Sequence, residues 1–240
     1  MLKIISTYSI MNNEPVNYYE KMPKRFLTKT ENPNYDLTKI SLPCRLVMAA
    51  PTGTGKSLTY TDLIHKWCEG KGTFQKIFII CRSKDEPLLK FLESKSDRII
   101  VSEGVETIPP LDQFTAEEGN KLVIFDDLVL EKNQKAIEEY FMKCRKKAIS
   151  CIYCSQSFHA IPSFIRKNAS HLVLMRLGGK RETNMVLNDY GLNCSKEQLL
   201  GMYHYCTKNK FHYTTLDLTC PPAERFRHNL LEVLDPKDFG

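Results

Sequence analysis

No apolar run in this 240-residue chain approaches the roughly 20 residues a helix needs to cross a bilayer, which excludes a helical membrane span. The opening residues, "MLKIISTYSIMNNEP", lack a long apolar core followed by a small-residue cleavage site, so secretion is not expected. Internal repeats and low-complexity tracts are also missing, which argues against a repeat architecture. Charge of one sign is not in large excess: 34 Lys and Arg against 28 Asp and Glu leave +6. That balance permits contact with a polyanion without singling one out. A disulfide framework is lacking as well. The nine cysteines are odd in number and scattered, and Cys44, Cys81, Cys151 and Cys154 fall inside apolar runs. Reduced, buried thiols in a cytosolic compartment suit that pattern better. Cys151 and Cys154 have the spacing of metal ligands, but positions three apart in a strand face opposite ways and cannot share a metal.

What remains is an ordinary globular composition, 42% hydrophobic and 26% charged, long enough for one substantial core. Residues 1–40 are rich in Asn, Tyr, Pro and Lys and show no sustained period. They read as an arm or lead-in, with one short strand near residues 2–6. From Cys44 the texture changes. Strand-like apolar runs at 45–49, 76–81, 98–101, 122–125, 149–154 and 171–175 alternate with helix-like stretches at 57–69, 86–94, 133–147 and 162–168. Continuous apolar runs between amphipathic segments predict a mostly parallel sheet with helices on both faces, hence an α/β fold. Right-handed crossovers put the loops after the strands along one edge, where ligands bind. Further on come helices at 181–190 and 196–206 and a strand-like segment at 210–219, a small C-terminal α+β appendage. Pro221-Pro222 is expected as a boundary. The resulting division is an arm at 1–40, the main domain at 41–220 and a tail at 221–240.

One stretch carries a chemical signature. "APTGTGKS" runs from Ala50 through Pro51, Thr52, Gly53, Thr54, Gly55 and Lys56 to Ser57, with Leu58 following. It leaves a strand and opens a helix, the context a phosphate-binding loop requires. Gly53 and Gly55 let backbone N–H groups curl close to phosphates. Lys56 brings a positive charge to β- and γ-phosphates, Ser57 offers a hydroxyl to Mg²⁺, and the helix adds its positive end. Ala50 stands where the usual pattern has glycine. That position needs a small side chain but not a positive φ, so the site is expected to work. The bland alternative is a small-residue turn with a solvated lysine.

A second signature lies in "KLVIFDDLVLE". A buried strand running into two carboxylates is costly unless they serve a cation or a reactive water. Asp126 is placed to bind Mg²⁺, and Asp127 to polarise an attacking water; a strand-to-turn junction capped by Asp is the alternative. The run at 149–154 then delivers Ser155 and Gln156 to the same edge. An amide there can sense a γ-phosphate or hold a water, or simply cap the strand.

The order of phosphate loop, paired acids, a helix ending in Cys144-Arg145-Lys146 and a strand ending in Ser155-Gln156 resembles the FtsK–HerA superfamily of P-loop ATPases, with a RecA-like (ASCE) core. The stretch "SFHAIPSFIRKNASHLVLMR" after Gln156 is similar to that of the poxvirus-type genome-packaging ATPases of large DNA viruses and virophages. The likeness covers residues 44–176. It implies ATP and Mg²⁺ as ligands and an ATPase that pumps double-stranded viral DNA into a preformed capsid. It further implies a homo-oligomeric ring of five or six subunits, a capsid-vertex or portal partner, and a place in the host cytoplasm, a viral factory or the virion. By this resemblance Arg145 is the arginine supplied to a neighbouring subunit's site, with Arg166 as runner-up. For Arg145 a cationic helix end is the equal alternative. The segment Gly178-Gly179-Lys180-Arg181 is a DNA-gripping loop or, preferably, a turn into the next helix. Two departures stand out: Ala50, and Asp127 where many members of the superfamily carry Glu. A viral nucleoside or nucleotide kinase, or an ATP-dependent scaffold that does not hydrolyse, are the competing functions.

Overall fold

Strands buried on both faces need apolar residues at every position, and their alternate side chains must feed two separate cores. The computed structural model of the chain, which describes residues 16–23, 31–70, 72–191 and 194–240, is built this way. The short strand expected near residues 2–6 lies outside the described residues. Two helical turns, α1 (Tyr18–Lys21) and α2 (Tyr35–Thr38), precede β1 (Arg45–Ala49), α3 (Lys56–Trp67), β2 (Lys76–Cys81), α4 (Pro87–Glu93) and β3 (Ile99–Glu103). Then come β4 (Lys121–Asp126), α5 (Lys135–Lys143), β5 (Ile149–Ser155), α6 (Ser163–Asn168) and β6 (His171–Leu174). The chain ends with α7 (Lys180–Tyr190), α8 (Lys196–Cys206), β7 (Thr214–Asp217), β8 (Phe226–His228) and β9 (Glu232–Val233).

All strands join one sheet in the order β3-β2-β4-β5-β1-β6-β7-β8-β9. Pairing is parallel from β3 to β6 and antiparallel from β6 to β9. Every residue of β4 and β5 is buried. Val123, Phe125, Cys151 and Tyr153 point into one core with side chains of α5 to α8. Leu122, Ile124, Ile152 and Cys154 point into the other with Tyr60, Leu63 and Trp67 of α3 and Leu89 of α4. Cys151 and Cys154 thus lie on opposite faces, as expected of strand positions three apart. Among the described residues no cluster of three or more His, Cys, Asp or Glu is arranged to hold a metal ion, and no helix is long and apolar enough to cross a membrane.

The lead-in docks onto the body. Asn34 donates through Nδ2 to the carbonyls of Trp67 at 2.8 Å and Glu69 at 2.9 Å, satisfying groups at the C-terminal end of α3. The residues after Pro221-Pro222, expected as a tail, extend the sheet instead: β8 pairs with β7 and β9 with β8. A buried ion pair explains it. Arg227 Nη2 lies 2.9 Å from Asp217 Oδ2, and His171 Nε2 lies 3.4 Å from Asp217 Oδ1, tying β6, β7 and β8 together.

This cluster makes stability sensitive to acid. Burial alone would raise the Asp217 carboxyl, but hydrogen bonds and charge from His171 and hydrogen bonds from Thr219 outweigh it and hold it well below the ordinary carboxylate range. A carboxyl depressed in the folded state stabilises fully above its unfolded pKa of about 3.9 and loses that contribution as pH falls toward the folded value. Urea unfolding from pH 7 to pH 2 is expected to show a steeper loss below about pH 4 for the native chain than for Asp217→Asn.

Candidate functional site

The sheet brings the ends of β1, β4 and β5 to one edge, and every element of the two sequence signatures lies there. β1 is held between β5 and β6, and the pairing runs one residue beyond it: the Ala50 N–H donates to the Ser155 carbonyl at 3.0 Å. Ala50 is fully buried and is not among the non-glycine residues with positive φ. Alanine therefore substitutes for glycine there without backbone strain. The chain then turns through Gly53 at φ 79° and Gly55 at φ 105°, conformations that disfavour a side chain. Thr54 closes the turn, its N–H and hydroxyl donating to the Pro51 carbonyl at 3.2 and 2.6 Å. α3 starts at Lys56, with Ser57 in its first turn, and its first N–H groups face the loop.

Lys56 and the first acid are in direct contact. Lys56 Nζ lies 2.6 Å from Asp126 Oδ1, and both side chains are largely buried. The Tyr60 hydroxyl, one turn along α3, donates to Asp126 Oδ2 at 3.1 Å. Burial would lower the Lys56 ammonium, but the charge of Asp126, with lesser help from its hydrogen bond and from Cys154 and Asp127, holds it above the ordinary lysine value. Burial and the same Asp126 charge push the Tyr60 phenol far up, so it stays a neutral donor. The lysine is thus a fixed cation at the mouth of the loop.

The second acid is aimed elsewhere. Asp127 adopts a left-handed conformation, φ 59°, and its carboxylate pairs with Gln156, not with Lys56. Gln156, just past β5, donates through Nε2 to Asp127 Oδ2 at 2.7 Å and accepts through Oε1 from the Thr52 hydroxyl at 3.0 Å. A polar chain therefore runs from the phosphate loop through the amide to the second carboxylate. The backbone after Gln156 is latched by Glu182 of α7, whose Oε1 accepts from the Ser157 hydroxyl at 2.7 Å and from the Phe158 N–H.

The two arginines fare differently. Arg145 sits exposed in a 3₁₀ turn, Cys144–Lys147, immediately before β5. Seven strand residues, about 23 Å at 3.3 Å each, separate that end of β5 from Gln156. Arg145 is therefore not brought to the chain's own phosphate loop. Arg166 is engaged within the chain: Nε donates to the Ile161 carbonyl at 3.1 Å, Nη1 lies 3.6 Å from Asp189, and the guanidinium stacks 5.1 Å from the Phe158 ring. Those contacts disfavour it as an arginine presented to a neighbour. Gly178 and Gly179 form the turn into α7, with Lys180 and Arg181 exposed in its first turn.

A cleft of about 560 Å³ lies along the phosphate loop, with Gln156 among its walls and Leu58 and Phe211 lining it as well. Sequence reasoning missed Tyr60 and Phe211. Nothing in the residues around Tyr60 distinguishes its hydroxyl from that of any core tyrosine. Phe211 falls within the strand-like segment expected at 210–219, but the strand begins only at Thr214, and Asn209 and Lys210 are turn-compatible.

Comparison with solved structures shows the fold. The genome packaging NTPase B204 of Sulfolobus turreted icosahedral virus 2 in complex with AMP superposes with a TM-score of 0.58 at 14% identity, covering 79% of this chain and 98% of that one. The same protein in complex with ATP-gammaS gives 0.54 at 15% identity, over 81% and 100% of the two chains. EssC (ATPases 2 and 3) from Geobacillus thermodenitrificans gives 0.56 at 10% identity, over 81% of this chain and 40% of that one. No curated protein matches by sequence. Residues 35–215 match the family of the poxvirus A32 protein. That span takes in the loop, both acids, Gln156 and the strands that carry them, and the chain belongs to the poxvirus A32 protein family.

Proposed function

We propose that this protein is an ATP-hydrolysing DNA translocase that packages viral double-stranded DNA into a preformed capsid. The observation that carries the reading is the arrangement on one sheet edge of Lys56 against Asp126 and of Gln156 between Thr52 and Asp127. Hydrolysis needs a cation for the β- and γ-phosphates, a base for water and a group that holds both in line. Lys56, Asp127 and Gln156 are those three. Asp127 takes the proton as water attacks the γ-phosphorus and the bond to the β,γ-bridging oxygen breaks, releasing ADP and phosphate, while Gln156, donor and acceptor at once, fixes the carboxylate relative to the loop. Loop N–H groups and the start of α3 receive the phosphate charge.

Ser57 and Asp126 would hold Mg²⁺. The set suits a hard cation: two oxygen donors, one of them a buried carboxylate oxygen that has an ion pair but no aligned hydrogen bond. When bound, the ion would neutralise charge building on the β- and γ-oxygens. Family membership and the likeness to packaging NTPases support DNA as the substrate moved. A homo-oligomeric ring of five or six subunits, a capsid-vertex or portal partner and a site of action in a viral factory belong to the same reading. Arg145, exposed at the edge opposite its own loop, is available to a neighbour's nucleotide, and exposed Lys180 and Arg181 to the DNA backbone.

The test is phosphate release from ATP with and without duplex DNA, for the wild type, Lys56→Ala, Arg145→Ala and a mixture of the two variants. Duplex DNA is expected to stimulate the wild type with no phosphorylated nucleoside formed. The exchanged mixture should recover activity that neither parent has, because some interfaces pair two intact halves. A mixture as inactive as its parents removes Arg145 from the shared site. Phosphate transfer to a nucleoside would make the protein a kinase.

A further inference from the structure

Phe211 lies in the loop between α8 and β7, outside the sequence signatures. β7 runs antiparallel to β6 and begins opposite Leu174, so this loop emerges at the same sheet edge as the phosphate loop. Phe211 has φ 68°, a left-handed conformation that is a clear outlier for a bulky aromatic residue. Its ring presses on the phosphate loop: a side chain placed on Gly55 would meet Phe211 Cδ1 at 2.5 Å. The two residues that follow it are anchored. His212 Nδ1 lies 2.8 Å from His228 Nε2, whose Nδ1 lies 2.6 Å from Glu232. Asn209 accepts the His212 N–H at 3.3 Å, and Tyr213 exchanges hydrogen bonds with Asn229.

Despite this anchoring the ring is not buried in a core. Phe211 is 44% exposed and Leu58, across the loop, 49%; both line the cleft beside Lys56 and Ser57. A solvent-facing aromatic held in a costly conformation next to a phosphate site is built to meet something flat and apolar. Gln156, Asp126 and Asp127 gather on the β5 and β4 side of the loop, whereas Phe211 comes from the β6 and β7 side. A triphosphate with its γ end toward the acids leaves its base toward Phe211. We propose that Phe211, with Leu58, is the wall on which the nucleobase of the bound nucleoside triphosphate stacks. The Lys210 ammonium lies 4.8 Å from the ring centroid. On its flexible stem that cation gives way to a base, which makes the stronger contact at an exposed ring.

This inference rests on the ATP reading above, and the experiment separates the two. Calorimetric titration with ATPγS and with inorganic tripolyphosphate, each with Mg²⁺, compares the wild type, Phe211→Ala and Phe211→Tyr. Removing a stacking aromatic is expected to weaken ATPγS binding by about ten-fold or more. Tripolyphosphate, which has no base, should bind Phe211→Ala as it binds the wild type, and Phe211→Tyr should retain both affinities. Equal weakening for both ligands would make Phe211 a prop for the loop and overturn the proposal. Unchanged or tighter ATPγS binding in Phe211→Ala would overturn it too, the latter by making the ring an obstacle. A wild type that binds neither ligand would overturn the ATP reading itself.

Discussion

Lys56→Ala is expected to abolish phosphate release, by at least about 10²–10³, the usual loss when a preorganised charge is taken from a developing oxyanion. The same substitution carries a second, independent signature. Lys56 is ion-paired to Asp126, whose carboxylate is 5% exposed, so truncation leaves a buried charge whose one remaining side-chain partner among the described residues is the Tyr60 hydroxyl. Breaking a buried pair from one side costs about 3–5 kcal/mol. The variant should therefore unfold at distinctly lower urea than the wild type without any nucleotide present. Adding Asp126→Asn removes the stranded charge and should restore much of that stability while leaving the protein inactive. If Lys56→Ala alone is as stable as the wild type, the pair is looser than its 2.6 Å separation indicates.

Asp127→Asn should separate chemistry from binding. The residue sits at φ 59°, where asparagine is tolerated as well as aspartate, so the backbone has no reason to move. The asparagine carbonyl still accepts from Gln156 Nε2, which keeps the Thr52–Gln156 arm in place. What is lost is the proposed base. Phosphate release should fall by about 10²–10⁴ while affinity for ATP with Mg²⁺ is retained. Asp127→Ala would add a folding penalty of about 1–2 kcal/mol, because alanine lacks the polar side chain that eases a left-handed conformation. Turnover within a few-fold of the wild type in Asp127→Asn would mean that another group polarises the water.

Much of this site is legible in the sequence because its parts obey local rules. The apolar runs ending at Ala49, Phe125 and Cys154 mark strands buried on both faces, and parallel pairing then sends their ends to one edge. Gly53 and Gly55 announce a turn that only glycine makes easily, and Asp126 and Gln156 follow directly from where their strands stop. What escaped depends on partners distant in sequence. β8 and β9, of three and two residues, carry too little pattern to register, and Arg227 on Asp217 is a contact between separate strands. Pro221-Pro222 looks like a boundary yet merely turns the chain between β7 and β8. The resemblance ranks Arg145 above Arg166 but says nothing of what either touches. Only packing reveals that Arg166 is engaged by Asp189 and Phe158 while Arg145 stays exposed. Phe211 is followed by His212 and Tyr213, whose partners His228 and Asn229 are remote in sequence.

The central claim is that one triphosphate is gripped jointly by the loop lysine and the acid pair. Thermal unfolding with and without ATPγS and Mg²⁺, in the wild type and in Lys56→Ala, tests it most directly. Ligand that binds only the folded state raises the midpoint, by about 2.7 kcal/mol of stability at a hundred times its dissociation constant. The account predicts a clear upward shift for the wild type and none for Lys56→Ala. No shift in the wild type, or an equal one in both, would contradict it.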